Sequence, residues 1–522
     1  MKWPTKQTLC VALALVCHTP SWGAPADEDL TEEAAPEITL KELTDEDRII
    51  LFQGYEDALK SGQKTSAADA LLPILDDPEL GNEHGEAWVK MGTLLAEFDM
   101  EYSALLAFGN AINADPATGA QKVNDAIILA KKLSDQRYLA PILAENVGLD
   151  VDKNTRSEIA YLAARHYFQD SQEGMALGML RMVDAKSEVF PDAQALNGVV
   201  LTQQGRFNDA LAPLITAQQI GRTQDRGSRF DNVLTLNLAR SYFAAGNYLR
   251  AIEHYAKVER ASDFWPHAHF ERAWAHFRQG DVKGTVAVLM SHDSPFFEDW
   301  YFPEADLLRT YSLFMMCKFP DAGAEINRFE QRYTPVKEQL KSSVAALTTE
   351  QAWSEAVSYL NGNTHQFPAA LLRKFATDER FLAAVSSTKK ADDELKRLAN
   401  VANNPFASIA MQRLQERRNH LVNEEGTRVK AHLSAARDEL IDMLSNVQIT
   451  KLDIMNYETA LLEKAANTGT MDYGDRIGQL RRLRKKKGVQ VWPFQGEYWA
   501  DEIGYYQVNT RPDCPEGMQT GK

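Results

Sequence analysis

Residues 86–116 read EAWVKMGTLLAEFDMEYSALLAFGNAINADP, with small and bulky side chains alternating at helical spacing. Trp88, Gly92 and Leu95 share one helical face, and a polar turn follows. Ala104, Phe108 and Ala111 then share a second face before Pro116 ends the run. The pattern predicts two helices packed antiparallel, with Gly92 and Ala104 at the points of close approach. One such hairpin buries its apolar face poorly, so the fold turns on whether the pattern recurs.

It recurs. Around VVLTQQGRFNDALAPLITA, Gly198, Ala210 and Leu214 take the places of Gly92, Ala104 and Phe108. LARSYFAAGNYLRAIEHYAKV repeats them as Ala239, Ala251 and Tyr255, and ERAWAHFRQGDVKGTVAVL as Ala273, Thr285 and Leu289. In these three units a glycine (Gly205, Gly246, Gly280) stands seven residues after the small anchor, where a tight turn favours positive φ. Looser copies centre on Ala58, Ala126, Ala164 and Thr310. The anchors are spaced by 34, 34, 38, 34, 41, 34 and 37 residues, a period of 34 with insertions.

Trp88, Gly92, Leu95, Ala104, Phe108, Ala111 and Pro116 resemble the tetratricopeptide repeat pattern position by position. The match is specific for the units at Gly92, Gly198 and Ala239 and loose at Ala58, Ala126 and Thr310. The resemblance covers residues 48–336. It implies an all-α fold, a right-handed superhelix of helical hairpins whose concave groove binds partner proteins or peptides. With the anchor as position 8 of the first helix, positions 2, 5, 9 and 12 face that groove. They include Tyr161, Arg165 and Phe168, then Arg240 and Phe243, then His267, Phe270, Trp274 and Phe277, then Tyr311 and Phe314. Aromatic and arginine side chains gathered on one surface are the composition of interaction hot spots. The competing reading is that these rings form core.

A chain of 522 residues with 44% hydrophobic and 25% charged residues is globular material, longer than one core usually grows. Residues 1–23 place Lys2 and Lys6 before an apolar run from Leu9 to Val16 and then Ser21-Trp22-Gly23, the layout of a secretory signal peptide cut after Gly23. The alternatives are a buried N-terminal helix and, through Cys17, a lipoprotein. Cleavage removes two positive charges and no acid, taking the net charge from −16 to −18. So acidic a chain repels nucleic acid. The expected location is the periplasm or exterior of a bacterial envelope. Only Cys317 and Cys514 would then remain, either bonded to each other or as free thiols.

Residues 24–47 hold ten acidic residues against Lys41 alone and read as a solvated linker. Residues 337–487 read as a helical, coiled-coil-like region, with helices over 337–380 interrupted at Asn361-Gly362-Asn363 and Pro368. From Leu433 through Ala436, Leu440, Met443, Val447, Ile454 and Tyr457 to Leu461, small or apolar residues keep a seven-residue rhythm that Thr450 breaks once. That seam fits a coiled coil against segment 406–424 folding back, an intermolecular coiled coil, or the core of a small bundle. Six basic residues over Arg481–Lys487 fit a helix end, or contact with anionic lipid or an acidic partner. The tail, residues 488–522, carries Trp492, Phe494, Tyr498, Trp499, Tyr505 and Tyr506. It is similar to the C-terminal ends of helical-repeat envelope proteins of deltaproteobacteria such as myxobacteria, and it is a candidate to cover the groove itself.

HAHFERAWAHF gathers His267, His269, Glu271 and His276, but at spacings that do not converge on one point, so no metal or other cofactor is expected. No metalloprotease, nucleophile-elbow or phosphate-loop pattern is present. The sequence therefore points to an exported, non-catalytic scaffold. A peptidoglycan-active enzyme or its regulatory subunit, and an assembly factor for outer-membrane proteins, stand as alternatives.

Overall fold

The computed structural model describes residues 43–76 and 82–468. The expected signal peptide, most of the acidic linker, the basic run Arg481–Lys487 and the aromatic tail lie outside the described residues. Within them every regular element is helical, and no helix is long and apolar enough to cross a membrane.

Eight helical hairpins follow one another. They are α1 (Asp45–Lys60) with α2 (Lys64–Leu75), α3 (Asn82–Glu97) with α4 (Glu101–Ala114), α5 (Val123–Leu133) with α6 (Gln136–Glu145), and α7 (Lys153–Gln169) with α8 (Glu173–Leu180). Next come α9 (Phe190–Gln203) with α10 (Phe207–Thr223), α11 (Gly227–Ala244) with α12 (Tyr248–Tyr255), α13 (Trp265–Arg278) with α14 (Val282–Leu289), and α15 (Pro303–Met315) with α16 (Phe319–Ser343). Each first helix carries one of the eight anchors. A Cβ at Gly92 would lie 2.6 Å from the Phe108 ring, and one at Gly198 would lie 2.4 Å from Leu214, so both glycines are there for close approach. Ala104, Ala210, Ala251 and Thr285, each twelve residues after the anchor of its own hairpin, are fully buried.

The turns share one geometry. At Asp99, Ser171, Gly205, Gly246, Gly280 and Cys317, each seven residues after its anchor, φ is positive, between 56° and 83°. The next amide bonds back to the carbonyl five residues earlier, at 2.7–3.0 Å, which closes the first helix. Gly62 and Ser134 make the same turn out of register. Sequence analysis found only the glycine versions. The others accept the left-handed strain of about 1–2 kcal/mol because the hairpin packing fixes the chain there.

Four more helices follow: α17 (Thr349–Leu360), α18 (Ala369–Thr377), α19 (Glu379–Ala399) and α20 (Pro405–Thr468). The described residues divide into two compact units. The first runs to Thr223 and includes Asp378–Gly426. The second comprises Gln224–Thr377 and the residues from Thr427.

Three expectations are corrected. The acidic stretch ends as helix, because the Thr44 hydroxyl accepts from the Asp47 amide while Asp47 takes the Thr44 N–H, a capping box that starts α1 at Asp45. The boundary expected at 336/337 falls inside α16. Segment 406–424 does not fold back on 433–461, since both belong to the unbroken α20, whose sequence holds no proline after Pro405. The seam from Leu433 to Ile454 is buried, and in the second unit it lies on the last hairpin. Gln448 and Lys451 reach Glu330 of α16, and the Tyr457 ring lies 5.4 and 5.9 Å from Phe314 and Phe319. Thr450 sits in the seam, 1% exposed, with its hydroxyl returned to the Asn446 carbonyl.

Candidate partner-binding surface

Eleven residues were expected on one groove. Three of them, Tyr161, Arg165 and Phe168, belong to the first unit, and the other eight to the second.

On α7, Arg165 lies 5.8 Å over the Tyr161 ring and donates to Gln136 Oε1 at 3.2 Å. Burial pushes the Tyr161 hydroxyl up to about 12. Phe168 is not a surface residue. It is buried with Ala164, Ala176 and Leu180 in the core between α7 and α8.

On α11, Arg240 and Phe243 are likewise inside. The Arg240 guanidinium is clamped on Glu271 of α13, Nε to Oε2 at 2.9 Å and Nη2 to Oε1 at 2.6 Å, with both side chains more than nine-tenths buried. Phe243 packs its edge on Tyr248 at 5.4 Å. The two are covered from different places: Arg240 by the next hairpin, where its guanidinium needs the Glu271 carboxylate, and Phe243 by α12 of its own hairpin, where the ring becomes core.

Tyr311 and Phe314 of α15 are half-buried beneath α20. The Tyr311 hydroxyl is hydrogen-bonded to Thr450, and Phe314 faces Tyr457. The chain thus covers part of the expected groove with α20. On α13, Phe270, Trp274 and Phe277 are all half-buried. Phe270 packs on Phe302 at 5.3 Å. Trp274 and Phe277 meet edge to face at 5.8 Å, and one turn on, exposed Arg278 donates to the Tyr248 hydroxyl and lies over its ring.

The histidines of HAHFERAWAHF meet separate partners. His267 sits between Trp300 and Phe302, and His269 Nε2 lies 2.6 Å from Ser291 Oγ. Glu271 holds Arg240, and His276 Nδ1 meets Asp281 at 2.9 Å. Burial depresses His267 and His292 to about 3 and His269 well below its ordinary value. Among the described residues no three His, Cys, Asp or Glu side chains are placed to hold a metal ion.

Sequence reasoning missed the segment that packs these imidazoles, SHDSPFFEDWYF over 291–302. It folds back so that Phe297 stacks on His292 at 4.3 Å, while Arg373 of α18 lies 4.3 Å over Trp300. Five aromatic residues within seven were the available signal. Cys317, at the turn before α16, is buried and disulfide-bonded, and the expected partner Cys514 lies outside the described residues.

No family model matches the chain, and no curated protein matches it. Among solved structures it is similar to a tetratricopeptide repeat protein from Parabacteroides merdae, at 14% identity over 51% of this chain and 99% of that one, with a TM-score of 0.25. It is also similar to a Rap protein complexed with competence and sporulation factor, at 12% identity, 74% and 99% coverage and a TM-score of 0.28. The Cut9–Hcn1 hetero-tetramer of the APC/C follows at 11% identity, 77% and 96% coverage and a TM-score of 0.19. None of these bears on the tail's likeness to deltaproteobacterial envelope proteins. The helical-hairpin architecture stands on the packing of this chain's own residues.

Proposed function

We propose that this protein is an exported, non-catalytic scaffold of the bacterial cell envelope that holds a partner peptide or helix on the α11–α13 face around Trp274. The observation that carries the reading is a contrast among the expected groove residues. Arg240, Phe243, Tyr311 and Phe314 are occupied by the chain itself, whereas the Trp274–Phe277 pair stays half-buried beside exposed Arg278. A large ring left at the surface next to a guanidinium is the chemistry of an interface anchor.

Export is supported by the layout of residues 1–23 and by the acidic charge. A role without catalysis is supported by the histidines and carboxylates of α13, which are each taken up by separate structural partners. Peripheral contact through Arg481–Lys487 remains part of the proposal as a second attachment, to anionic lipid or an acidic protein.

A photo-crosslinker at position 274 in the native cell tests this directly. Capture of one envelope protein, abolished by competition with its peptide, is the expected result. Trp274→Ala should then weaken that capture by about 30-fold, the equivalent of about 2 kcal/mol for a central anchor. No captured partner, or cleavage of purified peptidoglycan in a zymogram, would overturn the reading.

A further inference from the structure

We propose that this protein pairs with a second copy of itself through the outer face of α20 between Arg437 and Asn456, the two helices lying parallel and in register.

In the second unit α20 carries two apolar stripes. One, from Leu433 to Ile454, is the seam buried on the last hairpin. The other is exposed. Ile441, Ile449, Leu452 and Met455 are 40–61% exposed, and large aliphatic side chains on successive turns form a patch of the kind that marks an interface. At about 100° per residue, Ile441, Gln448, Leu452 and Met455 fall within about 60° of one another around the helix, with Ser445 at their margin. Ile441, Gln448 and Met455 are seven residues apart, and so are Ser445 and Leu452 between them. That is the rhythm of a coiled coil, on the side of α20 turned away from its own seam.

The edges of the stripe decide what fits it. On one side stands α16, with Thr334, Lys337 and Lys341 across an open groove from Ile441 and Leu444. Glu330, in the same groove, is engaged by Gln448 and Lys451. On the other side lie exposed Asp438 and Asp442 and half-buried Asp453. The surface therefore runs from basic through apolar to acidic, and it is complementary to itself. A two-fold axis along the helices lays the acidic edge of each copy over the basic edge of the other. A two-fold axis across them, which pairs the helices antiparallel, sets acid on acid and base on base.

The flanking residues agree with the parallel arrangement. In parallel helices a residue on one flank meets the residue five further on in its neighbour. Arg437, which holds Asp438 of its own helix, would so reach Asp442 of the second copy, and Leu444 would meet Ile449 of the second copy. Beyond them Glu458 would meet Glu463 of the second copy, a repulsion that ends the contact near Asn456. The seam already orders α20, so pairing costs no helix formation. With Ser445 and Gln448 at core positions the contact is short and partly polar, which makes the dimer a dissociating one whose polar residues hold the register.

The test is sedimentation velocity of the full-length protein over about a hundredfold range of concentration, where the dimer share should grow by mass action. Leu452→Glu and Ile441→Glu, at exposed sites, should each raise the dissociation constant at least about tenfold while leaving the melting temperature of the monomer unchanged. Single cysteines introduced by Ser445→Cys and by Leu452→Cys should each cross-link to the same position of a second copy under mild oxidation, read by mass spectrometry of the joined peptides. An antiparallel pair can join like positions at only one of the two. A monomer at every concentration overturns the proposal, and so does a dimer that both glutamate variants leave intact. Linkage of like positions at one cysteine alone, or at neither, overturns the parallel register. A monomer that dimerises only once residues 488–522 are removed also overturns it, since the chain's own tail would then occupy the face.

Discussion

The two units hold the same long helix with different emphasis. In the first, α19 and the start of α20 add buried polar groups to an apolar contact made by Ala391, Leu398, Phe406, Ala410 and Leu414. Glu394 of α19, 1% exposed, accepts from the Tyr102 and Ser103 amides and from the Ser103 hydroxyl, each at 2.7 Å, and so caps the N-terminus of α4 from another part of the chain. Asp135, also 1% exposed, receives Arg417 Nε and Nη2 at 2.8 and 2.6 Å and the Tyr102 hydroxyl at 2.5 Å. Burial by itself would raise the Asp135 carboxyl, but the Arg417 bonds outweigh it and hold it below the ordinary carboxylate range. In the second unit, α20 docks through Leu433, Leu440, Val447 and Ile454 and through stacked rings. An apolar seam tolerates small slips of register. A carboxylate that must meet three donors does not, so the polar docking fixes where the helix lies.

The largest expected effect tests that distinction. Asp135→Ala leaves the Arg417 charge buried without its partner and should cost about 3–5 kcal/mol in urea unfolding. An effect below 1 kcal/mol would mean that water reaches this site and that the first unit is not pinned by it. Leu440→Ala in the seam should cost somewhat less, about 2–4 kcal/mol, through lost burial and an unfilled cavity. If the seam variant proves the costlier of the two, the contrast drawn between the units is reversed.

Acid should separate the units as well. His269 and His292 of the second unit are buried among other rings. Burial is the main cause of their depressed values; His292 and Arg272 add to it for His269, and Arg309 and Arg332 for His292. His292 Nε2 has no hydrogen-bond partner among the described residues. Unfolded, both titrate near 6.5, so above about pH 7 they are neutral in either state and their contribution is complete. Below about 6.5 the unfolded chain binds protons that the folded one refuses. Stability then falls by about 1.4 kcal/mol per pH unit for each histidine, about 2–3 for the pair. Glu304 opposes this: burial, helped by Glu439, raises its carboxyl to about 7, so the folded state gains as pH falls toward the unfolded value near 4.5. Melting temperatures from pH 7 to 5 should therefore fall less steeply in His292→Phe and more steeply in Glu304→Gln. Parallel slopes in all three proteins would remove the histidines from the account.

Much of this was legible and some was not, for a physical reason. The hairpins announced themselves because Gly92, Gly198, Ala239 and Ala273 belong to a 34-residue period with insertions, and the heptads of α20 did so because a helix buried on one side must repeat its apolar residues. The partner of the seam was misread, since periodicity shows that a face is buried and not what buries it. Glu394, Asp135 and Arg417 left no trace, as a single carboxylate meeting donors nearly three hundred residues away has no local pattern. The groove suffered for the same cause: the Glu271 carboxylate that closes over Arg240 lies in the next repeat.

What the units share provides the sharpest control on how they differ. Ala104 in the first and Ala251 in the second hold the same place, twelve residues after an anchor, and both are fully buried. Hairpin contact at that place is set by the backbones of two helices in van der Waals approach, whatever covers the hairpin from outside. Ala104→Leu and Ala251→Leu should therefore each overpack the contact and cost about 1–3 kcal/mol, equal within the error of chemical denaturation. Unequal losses would show that the cover reaches into the hairpins, the polar docking of α19 stiffening the first unit so that it relaxes less around the added side chain. No loss at either site would mean that the 34-residue register is misplaced, and the assignment of every groove position would shift with it.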